Sequence, residues 1–198
     1  MPSESRKGEK GLRLKPYLIC YGAQGSSMVK QEIFEALRTV YRKLKDEKIR
    51  WVLIGTSSLA FQGVDIEVQD IDILTDRTGA LRIGELLKEY EGKPVEFGRS
   101  EIFESYFGIF RIGGVDVEIM GDLKERIGGR WVSTVQRLES PEIVRIQGVK
   151  VAVSSLGEQL RAYEGLGREG DLATIRKIRE FLGRCEKERG VGGSRLGG

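Results

Sequence analysis

Two short stretches restrict this chain more than any others. Asp70, Ile71, Asp72, Ile73, Leu74 and Thr75 form one, and Val115, Asp116, Val117, Glu118 and Ile119 form the other. Successive side chains of a strand point to opposite faces, so each stretch reads as a strand with an apolar back and an acidic front. Such strands need a sheet whose back is covered by helices.

Two aspartates at i and i+2 sit on one face about 7 Å apart, from a rise of ~3.3 Å per residue. Like charges so placed repel unless a cation lies between them. A solvated strand face is the plain alternative, because antiparallel sheets often expose one polar side. If the second stretch lies beside the first, Glu118 or Asp116 adds a third carboxylate. A bound metal would then offset the cost of assembling the three. Mg²⁺ or Mn²⁺ suits such oxygen donors, since Mg²⁺ commonly takes one or two carboxylates plus substrate phosphates.

The 198 residues contain no histidine, which excludes His-dependent triads and zinc sites of the Cys/His type. Cys20 and Cys185 have no near partner and read as reduced thiols. Catalysis must therefore rest on carboxylates, lysine, arginine, hydroxyls and a hard metal. No stretch approaches the ~20 apolar residues of a membrane span. The polar start carries no secretory pattern, so a cytoplasmic protein without membrane partners is expected. Asparagine is absent too, and 32% of residues are charged, a composition that suggests a thermophilic source.

The pI of about 8.8 raises the question of nucleic acid. Residues 1–15 carry +3 and residues 184–198 carry +2, so the body between them is net negative. The folded body gives no indication of nucleic-acid binding, and an RNA-binding reading would have to rest on the tails.

Helical spacing of Ile33, Phe34, Leu37, Val40, Tyr41 and Leu44 predicts an amphipathic helix within 28–48. Residues 51–54 read as a buried strand, stopped by Gly55. Thr56, Ser57 and Ser58 follow, hydroxyls that can cap a short helix ending near Gly63 or, with backbone N–H groups, hold phosphate. After the Asp70 strand, Asp76 or Thr78 caps a helix with Ile83, Leu86, Leu87 and Tyr90 on its stripe, ending at Gly92. Strands near 94–98 and 106–112 come next. Gly113 and Gly114 turn the chain into the strand 115–120, and Gln147 and Gly148 join strands 143–146 and 149–153. Ser155 and Glu158 form a capping box that opens a helix to about Gly165, and a last helix spans 171–182. The expected fold class is α+β, with a mixed or antiparallel sheet flanked by helices. A flexible basic segment (1–25), one domain (26–183) and a disordered Gly-rich tail (184–198) are expected.

Gly55, Thr56 and Ser57, then Asp70 and Asp72 after a short helix and loop, then Val117, Glu118 and Ile119 together resemble the nucleotidyltransferase superfamily related to DNA polymerase β. The small bacterial and archaeal branch is the nearest in pattern, with relatives among lincosamide and aminoglycoside nucleotidyltransferases and AbiEii-type proteins. The resemblance covers roughly residues 28–182. It implies a nucleotidyltransferase-like fold and a nucleotide site at Gly55, Thr56, Ser57 and Ser58. It also implies that Asp70, Asp72 and Glu118 bind metal and carry catalysis. Arg168 lies where related enzymes often carry a basic residue, which makes it a candidate for the phosphates, although the residue by itself reads first as a solvated helix-terminal arginine. The departures are Gly-Thr for the usual Gly-Gly or Gly-Ser, and Glu118 for the commoner aspartate.

The implied reaction transfers a nucleoside monophosphate from a nucleoside triphosphate, ATP being expected, to an unidentified small molecule, RNA or protein. A non-catalytic nucleotide-binding or regulatory module of toxin–antitoxin type on the same fold is the alternative. Gly165 to Gly170 matches a dinucleotide fingerprint only as letters, because it follows a helix rather than a strand. Phe97, Phe103, Tyr106, Phe107 and Phe110 read as core packing rather than as a stacking surface.

Overall fold

A computed structural model describes residues 29–192. Helix α1 (Gln31–Leu44) buries Ile33, Phe34, Leu37, Val40 and Leu44 on one side, as its spacing predicts. Strand β1 (Trp51–Ile54) runs directly into α2 (Gly55–Phe61), and β2 (Asp70–Thr75) follows. The Asp76 side chain accepts from the Gly79 N–H and so caps α3 (Arg77–Leu86). Next come β3 (Glu91–Arg99), β4 (Phe103–Ile112), β5 (Val115–Ile127) and β6 (Arg130–Ser133). The hairpin β7 (Glu142–Ile146) and β8 (Val149–Val153) leads to α4 (Leu156–Leu166) and α5 (Leu172–Gly192).

The strands form one sheet in the order β3-β4-β5-β2-β1-β8-β7, with β6 added against β5. β2 runs parallel to β5 and β1 parallel to β8, while the other pairs are antiparallel. The sheet is therefore mixed, as expected. Its back carries Leu53, Ile71, Ile73, Val117 and Ile119, packed with α1 and α3 residues into the main core. α3 approaches β5 so closely that a Cβ at Gly121 would lie 3.0 Å from the Asp76 carbonyl oxygen. The front carries a smaller cluster of Val52, Ile54, Leu74, Leu123 and Leu138 beside the acidic residues.

Both expected hairpin turns are present. Gly113 and Gly114 have φ of 60° and 86°, and Gln147 and Gly148 have 46° and 85°, the positive pair that a two-residue turn of this twist demands. The Ser155–Glu158 capping box is formed, and α4 ends at a left-handed Gly167.

Four boundaries differ from expectation. α3 stops at Leu86 and passes into a 3-10 turn (Lys88–Tyr90), so Gly92 lies inside β3 rather than ending a helix. β5 continues to Ile127 through a bulge at Asp122 (φ 50°), and the unanticipated β6 folds back on it. The bulge exchanges the strand's faces, so Leu123 and Glu125 fall on the same side as Glu118 and Met120. α5 runs to Gly192, past the boundary expected at 183, because Cys185 is a further buried residue on its apolar side. The expected basic segment 1–25 and the end of the tail, 193–198, lie outside the described residues.

Candidate active site

Strand pairing brings the acidic residues together. Asp70 faces Asp116 and Asp72 faces Glu118 across the parallel β2–β5 pair, while Ile54 faces Asp72 from β1. Arg111 holds Asp116 through two hydrogen bonds, from Nε and Nη2, each of 2.8 Å. Of the two candidates on β5, Glu118 is thus the one left to join the aspartates.

Gly55 turns the chain from β1 into α2 at φ 64°. A Cβ there would collide with the Asp72 carboxylate, so only glycine lets the backbone lie this close to it. Loss of hydration is the chief cause that pushes the Asp72 carboxyl up to about 8, with the charges of Asp70 and Glu118 adding to it. Asp70 and Glu118 are also raised, first by burial and then by neighbouring carboxylates. The cluster is one that a cation would relieve.

Among the described residues no group of three or more acidic or cysteine side chains is placed to hold a metal ion by itself. The donor set fits a hard divalent ion of another kind. Mg²⁺ keeps several waters and takes part of its shell from substrate phosphates, so one or two carboxylates suffice. Asp70 and Asp72, with Glu118 beside them, are the residues that would hold it.

A cavity of about 590 Å³ opens over this cluster, with Gly55, Asp72 and Glu118 in its wall. The hydroxyls after Gly55 do not face it as expected. Ser57 Oγ donates to the Ile54 carbonyl at 3.4 Å, and Ser58 is fully buried. Ser58 Oγ accepts from Gln62 Nε2 at 3.1 Å and Gln159 Nε2 at 3.0 Å, and both amides also donate to the Ser154 carbonyl. The Ser58 hydroxyl is thus the centre of a buried polar knot joining α2 to the start of α4. Short polar side chains in a tight helical turn bond to nearby backbone or amides when the interior supplies them. Thr56 is half-buried and is also absent from the cavity wall, so Gly55 alone of this turn lines it.

Arg168 does line the cavity. Its guanidinium forks onto Asp171 at 2.6 and 2.9 Å and lies 5.6 Å from the centroid of the Phe103 ring. The charge is therefore oriented by a carboxylate rather than merely solvated.

Several wall residues carry no signal in the sequence. Tyr163, one turn beyond Gln159 on α4, has its hydroxyl pushed up by burial and by Asp72, so it remains a donor. The amide oxygen of Gln159 is buried without a hydrogen-bond partner. Glu125 and Arg137 form a bidentate pair at 2.9 and 2.7 Å, both more than nine-tenths buried. Phe103 and Phe107 line the cavity instead of packing in the core, the Phe97 ring stands edge-on against Tyr106 on the α3 side of the sheet, and Phe110 is fully buried as expected. The period of two along β3 and β4 identifies which rings share a face, but not which face the cavity opens on.

The profile of the aminoglycoside-2''-adenylyltransferase family matches residues 36–178. The chain belongs to that family. A protein from Thermotoga maritima assigned as a nucleotidyltransferase is 39% identical, covers 79% of this chain and 98% of its own, and superposes with a TM-score of 0.69. The lincomycin-bound structure of the lincosamide antibiotic adenylyltransferase LnuA shares the fold at 14% identity, with a TM-score of 0.51 over 77% of this chain and 98% of its own. Curated proteins yield no match. As a family member the chain is a nucleotidyltransferase-superfamily relative of the lincosamide and aminoglycoside enzymes, and nucleotidyltransferase activity is what the family supports. No helix among its described residues is long and apolar enough to cross a membrane.

Proposed function

We propose that this protein transfers a nucleoside monophosphate, AMP in the first instance, from a nucleoside triphosphate to a small acceptor with the help of Mg²⁺ or Mn²⁺. The observation that carries the reading is the register of β1, β2 and β5. It sets Gly55 against Asp72, and Asp72 beside Glu118, on one wall of one cavity.

Asp70 and Asp72 would hold the divalent ion, which would supply charge neutralisation for the triphosphate and for the charge that develops in transfer. The Gly55 turn lets the phosphates approach without a side chain in the way. The acceptor oxygen forms a bond to the α-phosphorus as the bond to pyrophosphate breaks, and Glu118 accepts the acceptor's proton. Arg168 bears on the phosphates from the opposite wall. Positioning and charge neutralisation supply most of the rate.

The test is thermal denaturation of the full chain with nucleoside triphosphates, with and without Mg²⁺, beside Asp70→Ala/Asp72→Ala. A ligand at 100 times its dissociation constant stabilises by about 2.7 kcal/mol. No metal-dependent shift at millimolar ATP, or an equal shift in the double variant, would refute the reading. ATP is expected to give the largest shift, and pyrophosphate release then reports turnover.

A further inference from the structure

The cavity extends well past the acidic cluster. β5 lines it from Glu118 through Met120 to Leu123 and Glu125, the last two turned inward by the bulge. Phe103 and Phe107 extend this surface on β4, beside Glu125 and Met120, and Lys93 continues it on β3. One cross-strand row sets the order of the two ends. Ile54, Asp72, Glu118, Ile109 and Lys93 stand opposite one another on successive strands. At ~4.8 Å per strand, Lys93 lies about 10 Å from Glu118, on the side away from the Gly55 turn.

The charges of this far half are mostly spent. Arg99 is paired with Glu104 and Arg137 with Glu125, and Arg168 belongs to the phosphates. Among the described residues Lys93 makes no ion pair; its ammonium stands 4.9 Å from the centroid of the Phe107 ring, and its charge is also felt at Glu118. A polycationic acceptor would need free carboxylates. Glu125 is committed to Arg137, Asp72 and Glu118 belong to the metal end, and only Glu96 at the rim remains. An aromatic surface with one cation outside any ion pair fits a different ligand.

We propose that the far half of the cavity is a subsite for a small ring-bearing acceptor with one anionic group, its ring against Phe103 and Phe107 and its anion on Lys93. That this occupant is the acceptor rests on the nucleotidyltransferase reading, whereas the subsite's chemistry does not. Lys93 is then a specificity-determining residue. Its charge selects against polycations and holds the ring where an attached hydroxyl reaches the Glu118 end.

The probe is 8-anilinonaphthalene-1-sulfonate, an anionic aromatic dye, titrated into the full chain by fluorescence. One saturable site is expected, about tenfold weaker in Lys93→Glu (about 1.4 kcal/mol) and retained in Lys93→Arg. The dye stays bound when Mg²⁺ and a non-hydrolysable ATP analogue are added. Lys93 is exposed on an edge strand, so the variants fold, and their thermal midpoints check this. Dye affinity unchanged in Lys93→Glu, no dye binding, competition by the ATP analogue, or displacement by micromolar tobramycin each overturns the proposal. Failure of the nucleotide reading is read separately. It appears as no thermal shift with Mg²⁺ and the analogue, whatever the dye does.

Discussion

Asp72 and Glu118 stand directly opposite one another across the parallel β2–β5 pair, each raised in pKa by burial and by neighbouring carboxylates. Removing the charge at the centre should relieve the cluster. Asp72→Asn is expected to raise the metal-free protein's melting temperature at pH 8.5 by a few degrees, at about 2–4 °C per kcal/mol for a chain of this size. The same variant should lose Mg²⁺-dependent nucleotide stabilisation and drop transfer by about a hundredfold or more. A variant with unchanged stability and unchanged nucleotide response would show that the cluster is an ordinary acidic surface.

The pH dependence of the metal-free protein follows from the same group. Asp72 has an ordinary carboxyl value of 3.8 when unfolded and about 8 when folded, so between these values the folded state holds the extra proton. Stability should therefore fall as pH rises from about 4 to 8, by at most about 1.4 kcal/mol per unit, and level off above. Mg²⁺ binding with nucleotide should expel that proton. Calorimetry at pH 7 in buffers of different ionisation enthalpy should show proton release for wild type and much less for Asp72→Asn.

Gly55 is predicted to be intolerant for a specific reason. A methyl group there meets the Asp72 carboxylate, and φ of 64° disfavours any L-residue. Gly55→Ala should lose more than about 1 kcal/mol and abolish nucleotide binding. Shortening the opposing side chain should return part of the stability, so Gly55→Ala/Asp72→Gly is expected to be more stable than additivity allows. Strict additivity of the two changes in urea denaturation would mean that the two residues are not in contact.

Much of this site was legible in the sequence because periodicity carries it. Alternation at 70–75 and 115–119 placed Asp70, Asp72 and Glu118 on one face, and double-turn signals at Gly113–Gly114 and Gln147–Gly148 placed two hairpins. The remainder depends on contacts between residues distant in the chain. Ser58 reads as a cap or phosphate ligand until Gln159, 101 positions away, takes its hydroxyl. The bulge at Asp122 follows Gly121, a glycine that reads equally well as the end of the strand, yet it decides that Glu125 faces the cavity. The phenylalanines of β3 and β4 divide between core and cavity according to what covers each face, which no single strand encodes. The end of α5 was misplaced because Cys185 reads as a weak apolar signal amid charges.

The Glu125–Arg137 pair provides a test of how the far half is built. Both groups are buried, and the fork satisfies two oxygens with two N–H donors. Truncating one partner strands the other charge in an apolar wall beside Leu123 and Phe103, which costs about 3–5 kcal/mol in such pairs. Replacing both with apolar residues of similar size leaves no charge behind and is often neutral or stabilising. Arg137→Ala should therefore destabilise strongly, while Glu125→Leu/Arg137→Met should lie within about 1–2 kcal/mol of wild type. The two variants separate stability from recognition. If the pair serves only to close the cavity wall, the double variant keeps both nucleotide binding and dye binding. If it also shapes the polar floor for an acceptor, the double variant keeps its melting temperature and nucleotide response but loses affinity for the dye, and denaturation and fluorescence titration on the same sample distinguish the two.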